Sequence, residues 1–183
     1  MSPWGFLLSV LLLLAYFCTT QSARSCSPCC SFMEGFPGRL RTLREKYLLI
    51  QTFYEANDDL EVELLDQSIQ ETFRSPFACD AMNSILDFYL RTVLPTALAG
   101  VTQNTKKLQP HVEDIQHIFY QLKTDVTRCR HHFSCKKPFD IHALNSTYTQ
   151  MQSKGLFKAM NELGLLFNYF ENFLASKWRG NHI

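Results

Sequence analysis

The feature that most constrains this chain is the step pattern of its apolar residues. Leu156, Met160, Leu163, Phe167, Phe170 and Leu174 advance in alternating strides of four and three. A run of that period lines one side of an α-helix and would scatter over both faces of a strand. The same stride recurs at Leu40, Leu43, Tyr47, Ile50 and Tyr54, and at Val112, Ile115, Phe119, Leu122, Val126 and Cys129. A third stripe runs from about Phe77 through Met82, Ile85, Tyr89 and Val93, and Pro95, which lacks a donor and clashes with the preceding turn, is expected to end it. A shorter helix is expected from Asn57 to Ile69, capped by Asn57 or Asp58. Pro110 and Pro138 suit first helical turns, where a missing N–H is harmless. After Pro138 the stripe Ile141, Leu144, Tyr148, Met151 is broken by Lys154-Gly155 before the last one begins. No alternating strand run competes with these. The expected class is all-α, six helices in a bundle, with each stripe turned into the core.

The balance of 18 Lys+Arg against 17 Asp+Glu gives a formal charge of +1, which demands no nucleic-acid partner. A hydrophobic fraction of 46% with 15 Phe suits one compact domain. Gly5 to Phe17 is almost continuously apolar, too short to span a membrane, and Thr20-Gln21-Ser22 has the small-x-small form of a signal-peptidase site. The expected organisation is a leader over 1–22 and one helical domain over 23–183. Secretion without membrane insertion follows from it.

An oxidising compartment governs the cysteines. Cys18 leaves with the leader, and Cys26, Cys29, Cys30, Cys79, Cys129 and Cys135 remain, a set that sequence alone can pair in 15 ways. Cys26-Ser27-Pro28-Cys29 has the form of a redox pair but lacks the βαβ setting that chemistry needs, so a structural disulfide is expected. His131 and His132 between Cys129 and Cys135 do not have the spacing of a zinc half-site.

No nucleophile elbow, metalloprotease helix or phosphate loop occurs, and His111 and His117, six apart, fall on different helix faces. Neither an enzyme nor a cofactor is expected. Asn145-Ser146-Thr147 is an N-glycosylation sequon.

The run from Lys154-Gly155-Leu156-Phe157-Lys158-Ala159-Met160-Asn161-Glu162 to Asn168-Tyr169-Phe170-Glu171 resembles the C-terminal signature helix of the interleukin-10 family of helical cytokines. Leu40-Arg41-Thr42-Leu43-Arg44 with Thr52-Phe53-Tyr54, then Phe88-Tyr89-Leu90 with Pro95, and Arg128-Cys129-Arg130-His131 through Cys135 extend the resemblance in order over nearly the whole chain after the leader. It implies an intertwined homodimer, in which the last two helices of each chain complete the core of the other. It also implies engagement of a high-affinity and an accessory receptor chain, signalling through Janus kinases, and restraint of inflammatory output. The receptor-binding set it implies is Arg41, Arg44, Glu55, Lys158, Asn161 and Glu162. Helical period places Lys158, Asn161 and Glu162 opposite Leu156, Leu163 and Phe167, on a face open to a partner. Departures occur at Gln51 for a basic residue, Gly164 for an acidic one and Glu55 for an amide.

The resemblance further implies the bridges Cys29–Cys129 and Cys79–Cys135, with ungapped alignment to Leu40 selecting Cys29 over Cys30 for the first. Cys26 and Cys30 are left as an extra pair. A secreted, disulfide-bonded helical lipid carrier of saposin type is the alternative function, although such chains are about half this length.

Overall fold

The computed structural model describes residues 27–135 and 139–180, all helix, turn and loop. The proposed leader, Cys26 and Pro138 lie outside the described residues.

Helix α1, Pro28–Asn57, opens with Pro28 in its first turn and with Ser27 Oγ accepting from the Cys30 amide at 3.2 Å. Its inward side is Phe32, Met33, Phe36, Leu40, Leu43, Tyr47, Ile50 and Tyr54, so the stripe begins two turns before Leu40 and the helix continues through Pro37. Asn57 closes α1 rather than starting a new helix. The chain then runs irregularly until Asp66, whose Oδ1 accepts from the Ser68 and Ile69 amides at 3.0 and 3.2 Å and caps α2, Gln67–Phe73.

Helix α3, Ala78–Phe88, does not stop at Pro95. It passes through one π turn, Tyr89–Val93, into α4, Leu94–Ala99. The Leu94 amide bonds back five residues to the Tyr89 carbonyl, and this wider turn accommodates a proline that offers no N–H. Helix α5 spans Gln109–Arg128 with Pro110 in its first turn. Next come α6, His142–Gln150, then α7, Gly155–Asn161, and α8, Leu163–Gly180. The turn between α6 and α7 is carried by Gln152 at φ 52°, and Gly155 serves a different need. A Cβ there would meet the Tyr148 carbonyl oxygen at 2.8 Å. With α3 and α4 counted as one rod, and α7 and α8 as another, the described residues form six rods.

The core lies between α1, α3, α5 and α8. Phe119, Phe167 and Phe170 are fully buried at its centre, Phe119 and Phe167 meeting edge-on at 6.2 Å and Tyr47 closing on Phe167 at 5.9 Å. The last stripe therefore finds its partner surface within the same chain. Met160, Leu163, Phe167 and Phe170 are wholly inaccessible there, without a second copy. Helix α6 is seated differently: Leu144 is its one buried residue, and Tyr148 leans on Phe88 at 5.3 Å.

Two disulfides close one end. Cys29–Cys129 ties the start of α1 to the end of α5 with Cα atoms 5.5 Å apart, and Cys79–Cys135 ties α3 to the following segment at 5.4 Å. Cys30 is also disulfide-bonded. Between these ties Phe133 is buried against Phe32 and Phe173 at 5.9 and 5.8 Å.

Candidate functional site

Helices α1 and α8 run side by side in opposite directions, and their outer seam gathers most of the charged residues that sequence singled out. At one end Arg44 Nη2 donates to Asn168 Oδ1 at 2.8 Å and Glu171 Oε2 at 2.9 Å. This pair stands in solvent, its side chains 38% and 54% exposed. Arg41, one turn earlier on α1, is exposed.

One turn further along α1, Tyr47 crosses to the partner helices, its hydroxyl donating a short hydrogen bond to the Asn161 carbonyl. Burial first, and then the nearby Glu55 carboxylate, push the Tyr47 hydroxyl up to about 12, so it remains a donor at neutral pH. Its ring lies over Gly164, where a Cβ would approach Tyr47 Cε1 at 3.1 Å. The glycine here is thus matched to the tyrosine across the seam.

The far end is closed. Lys158 Nζ reaches Asp58 Oδ2 at 2.9 Å and the Leu60 carbonyl at 2.5 Å, and Asn161 Nδ2 donates to the same Asp58 carboxylate at 2.8 Å. The Lys158 and Asp58 side chains are only 9% and 2% exposed. Glu162 accepts from the Leu64 amide at 3.0 Å and the Leu65 amide at 2.7 Å, while Tyr169 donates its hydroxyl to the Leu65 carbonyl at 3.0 Å. Lys154 binds Asp59 at 2.5 Å. Segment 58–65 has almost no regular structure to satisfy its backbone, and side chains of α7, of α8 and of Glu162 at their junction do so instead.

This corrects the expectation of an open polar face. Lys158 and Glu162 occupy one helical side, but that side is covered by the 58–65 segment. Burial raises the Glu162 carboxyl above the usual carboxylate range, outweighing the Leu65 and Leu64 amide bonds that lower it. At Asp58 burial acts in the same direction but loses to the Asn161 and Lys158 hydrogen bonds, and the net shift is downward. Glu55 is exposed near the end of α1, and its carbonyl accepts from the Asp58 amide at 3.2 Å.

Sequence reasoning missed Asp58, Tyr47, Asn168 and Glu171 as members of this seam. Asp58 read only as a candidate helix cap, and Asp59 carried no local signal. Their partners lie about a hundred positions away, beyond any local signal.

Asn145 is exposed on α6. Among the described residues no group of three or more His, Cys, Asp or Glu is arranged to hold a metal ion, and no helix is long and apolar enough to cross a membrane.

The family model described as Interleukin 10 matches residues 6–176, which takes in every residue of the seam named above. The chain belongs to the interleukin-10 family. Curated relatives agree: Interleukin-10 of Gallus gallus is 32% identical over 171 residues, covering 92% of this chain and 95% of the relative. Interleukin-10 of Marmota monax is 29% identical over 178 residues, with 96% and 98% covered, and that of Felis catus is 29% identical over 160, with 87% and 88% covered. Membership in the interleukin-10 family makes this chain a helical cytokine and disfavours the lipid-carrier alternative.

Proposed function

We propose that the chain is secreted, acts as an interleukin-10-like homodimer and binds a high-affinity and an accessory receptor chain, signalling through Janus kinases to restrain inflammatory responses. The observation that carries this reading is the seam itself. In a chain of this family, Arg41 and Arg44 of α1 form a basic edge beside α8, and exposed Glu55 lies further along the same helix, whereas Lys158, Asn161 and Glu162 are engaged by segment 58–65. Guanidinium groups pair bidentately with carboxylates, so this edge suits an acidic receptor patch.

Dimerisation by exchange of the last helices fits the packing energetics. Moving α6 to α8 onto a partner would replace intrachain contacts by the same contacts between chains, and only the segment joining α5 to α6 has to change course. Asn145 on α6 is the proposed site of an N-linked glycan, and the Cys26–Cys30 pair is proposed as a third bridge.

The test is titration of immobilised receptor ectodomain with the mature protein and with Arg41→Ala, alongside light scattering at micromolar concentration. A dimer that binds, with Arg41→Ala binding more weakly at unchanged helix content, is expected. A compact, stable monomer contradicts the exchanged dimer, and absence of binding by the folded wild type contradicts the receptor assignment. Loss of mass on peptide-N-glycosidase treatment, absent in Asn145→Gln, checks the glycan.

A further inference from the structure

On the loop between α4 and α5, residues 100–108, the structure assigns Lys106-Lys107 as a processing site for a trypsin-like serine protease, whose cut leaves both disulfides joining the halves in a two-chain form of the same fold. This goes beyond the cytokine reading and draws from it only that the chain is secreted, which is where such a protease would meet it.

A protease of this class takes a Lys or Arg side chain into an acidic pocket and needs the residues on either side drawn out, so exposed loops are cut and packed helices are spared. Among the described residues, the basic side chains outside the α-helices and the π turn are Arg74, Lys106, Lys107, Arg130 and Lys154. Arg74 sits in the tight turn from α2 to α3, with Pro76 two positions on. Arg130 is fenced by the bridged Cys129 and Cys135, and its carbonyl accepts from the Cys135 amide at 2.9 Å. Lys154 is paired with Asp59 directly before α7.

The Lys106-Lys107 pair differs from all of these. Both residues are exposed, and neither ammonium group has a partner among the described residues. Their loop is held by bonds within itself: the Thr105 amide donates to the Thr102 carbonyl at 3.1 Å, the Thr102 amide to Thr105 Oγ1 at 2.9 Å, and the Leu108 amide to the Thr105 carbonyl at 2.8 Å. Residues 102–107 are exposed apart from half-buried Thr105, and Leu108, 7% exposed, is where the chain returns to the core. Opening this turn breaks local bonds and leaves the core in place. The Lys106–Lys107 bond is the one with an exposed residue on each side. Its hydrolysis adds one water: the Lys106 acyl carbon becomes a carboxylate, and the Lys107 nitrogen an α-ammonium group.

The halves do not part. Cys29 and Cys79 precede the cut and Cys129 and Cys135 follow it, so each bridge crosses it. The Arg39–Asp125 and Lys46–Asp114 ion pairs, at 2.6 and 2.7 Å, cross it too, as does the contact of the Tyr89 and Phe119 rings at 5.9 Å. Exchange of α6 to α8 between two copies leaves this unchanged, because the bridges join α1 and α3 to α5 and the segment directly after it. Among the described residues the two bridges become the covalent ties between the halves, so the processed form depends on oxidising surroundings as the uncut chain does not.

The experiment treats the mature protein and the double variant Lys106→Gln/Lys107→Gln with a trace of trypsin. Products are followed by electrophoresis with and without reductant, N-terminal sequencing and circular dichroism. In the wild type the first cut should leave one band without reductant and two with it, a new N-terminus at Lys107 and an unchanged helical spectrum. The double variant should lose this first cut and melt like the wild type, since neither side chain has a partner to forfeit. A first cut after Arg74, Arg130 or Lys154 overturns the site. Release of a fragment without reductant puts the cut outside the bridged span, as at Lys136, and overturns it as well. A cut at Lys106 that collapses the helical spectrum overturns the two-chain fold. Expression with the native leader judges secretion separately: a chain retained in the cell contradicts that reading, whereas the trypsin result still judges the cut.

Discussion

The two ends of the α1–α8 seam carry similar residues under opposite physics. At the Arg44 end, a guanidinium, an amide and a carboxylate meet in water, where a pair contributes under about 1 kcal/mol because solvent screens it and both side chains lose freedom. At the Lys158 end, an ammonium and a carboxylate meet under a covering segment, and each depends on the other. The difference teaches that charge on this face has two tasks. Exposed charge leaves the fold nearly indifferent and remains available to a partner; buried charge fixes where the chain goes.

The largest effect should come from breaking the closed end. Lys158→Ala leaves the Asp58 carboxylate buried with one donor fewer, and the fold should lose about 3 to 5 kcal/mol in chemical denaturation. Asp58→Asn/Lys158→Met removes the stranded charge and should recover part of that loss. Equal stability of single and double variants would mean that the pair is not buried as described.

The opposite end is tested by binding. Arg44→Ala should weaken high-affinity receptor binding by about 2 kcal/mol if it anchors the basic edge, with stability changed by less than about 1 kcal/mol. A loss of fold on this substitution would erase the contrast between the ends.

A third, smaller effect is pH dependence, and the two carboxylates of the closed end should oppose each other. The lowered Asp58 value adds stability at neutral pH that disappears as pH falls through it. The raised Glu162 value works the other way: its contribution is present at low pH and is lost as pH rises through the folded value. The melting temperature of Glu162→Gln relative to wild type should therefore climb between pH 4 and pH 7, as a pH series of thermal melts will show. A flat difference would indicate that Glu162 is solvated.

The smallest effect belongs to Glu171→Gln, which should cost under about 1 kcal/mol and less still in high salt.

Periodicity made the helical class legible because burial imposes the same stride wherever a helix meets the core. The first helix was harder to delimit: Gly35, Pro37 and Gly38 look like punctuation, yet Phe32, Met33 and Phe36 keep the stripe running inward around them. Pro95 looked like a terminus because proline lacks a donor, and a π turn absorbs that defect without any mark in composition. At the site, Arg44 came from the resemblance to the family, and its pairing with Asn168 and Glu171 left no mark in the local sequence. The burial of Lys158 was not legible either, since a lysine opposite an apolar stripe normally faces water, and what covers it is segment 58–65, 98 positions from it at Leu60. Local pattern assigns a residue to a side of its helix, but only tertiary packing decides what lies over that side.

The most direct test of the division between the two ends is a paired measurement of thermal stability and receptor affinity on Arg44→Ala and Lys158→Ala in one buffer. The predicted result is a large affinity loss with little change in melting temperature for Arg44→Ala, and a clear fall in melting temperature for Lys158→Ala accompanied by weaker binding. Lys158→Ala that melts like the wild type and still loses affinity would contradict the account, because Lys158 would then be an open receptor contact.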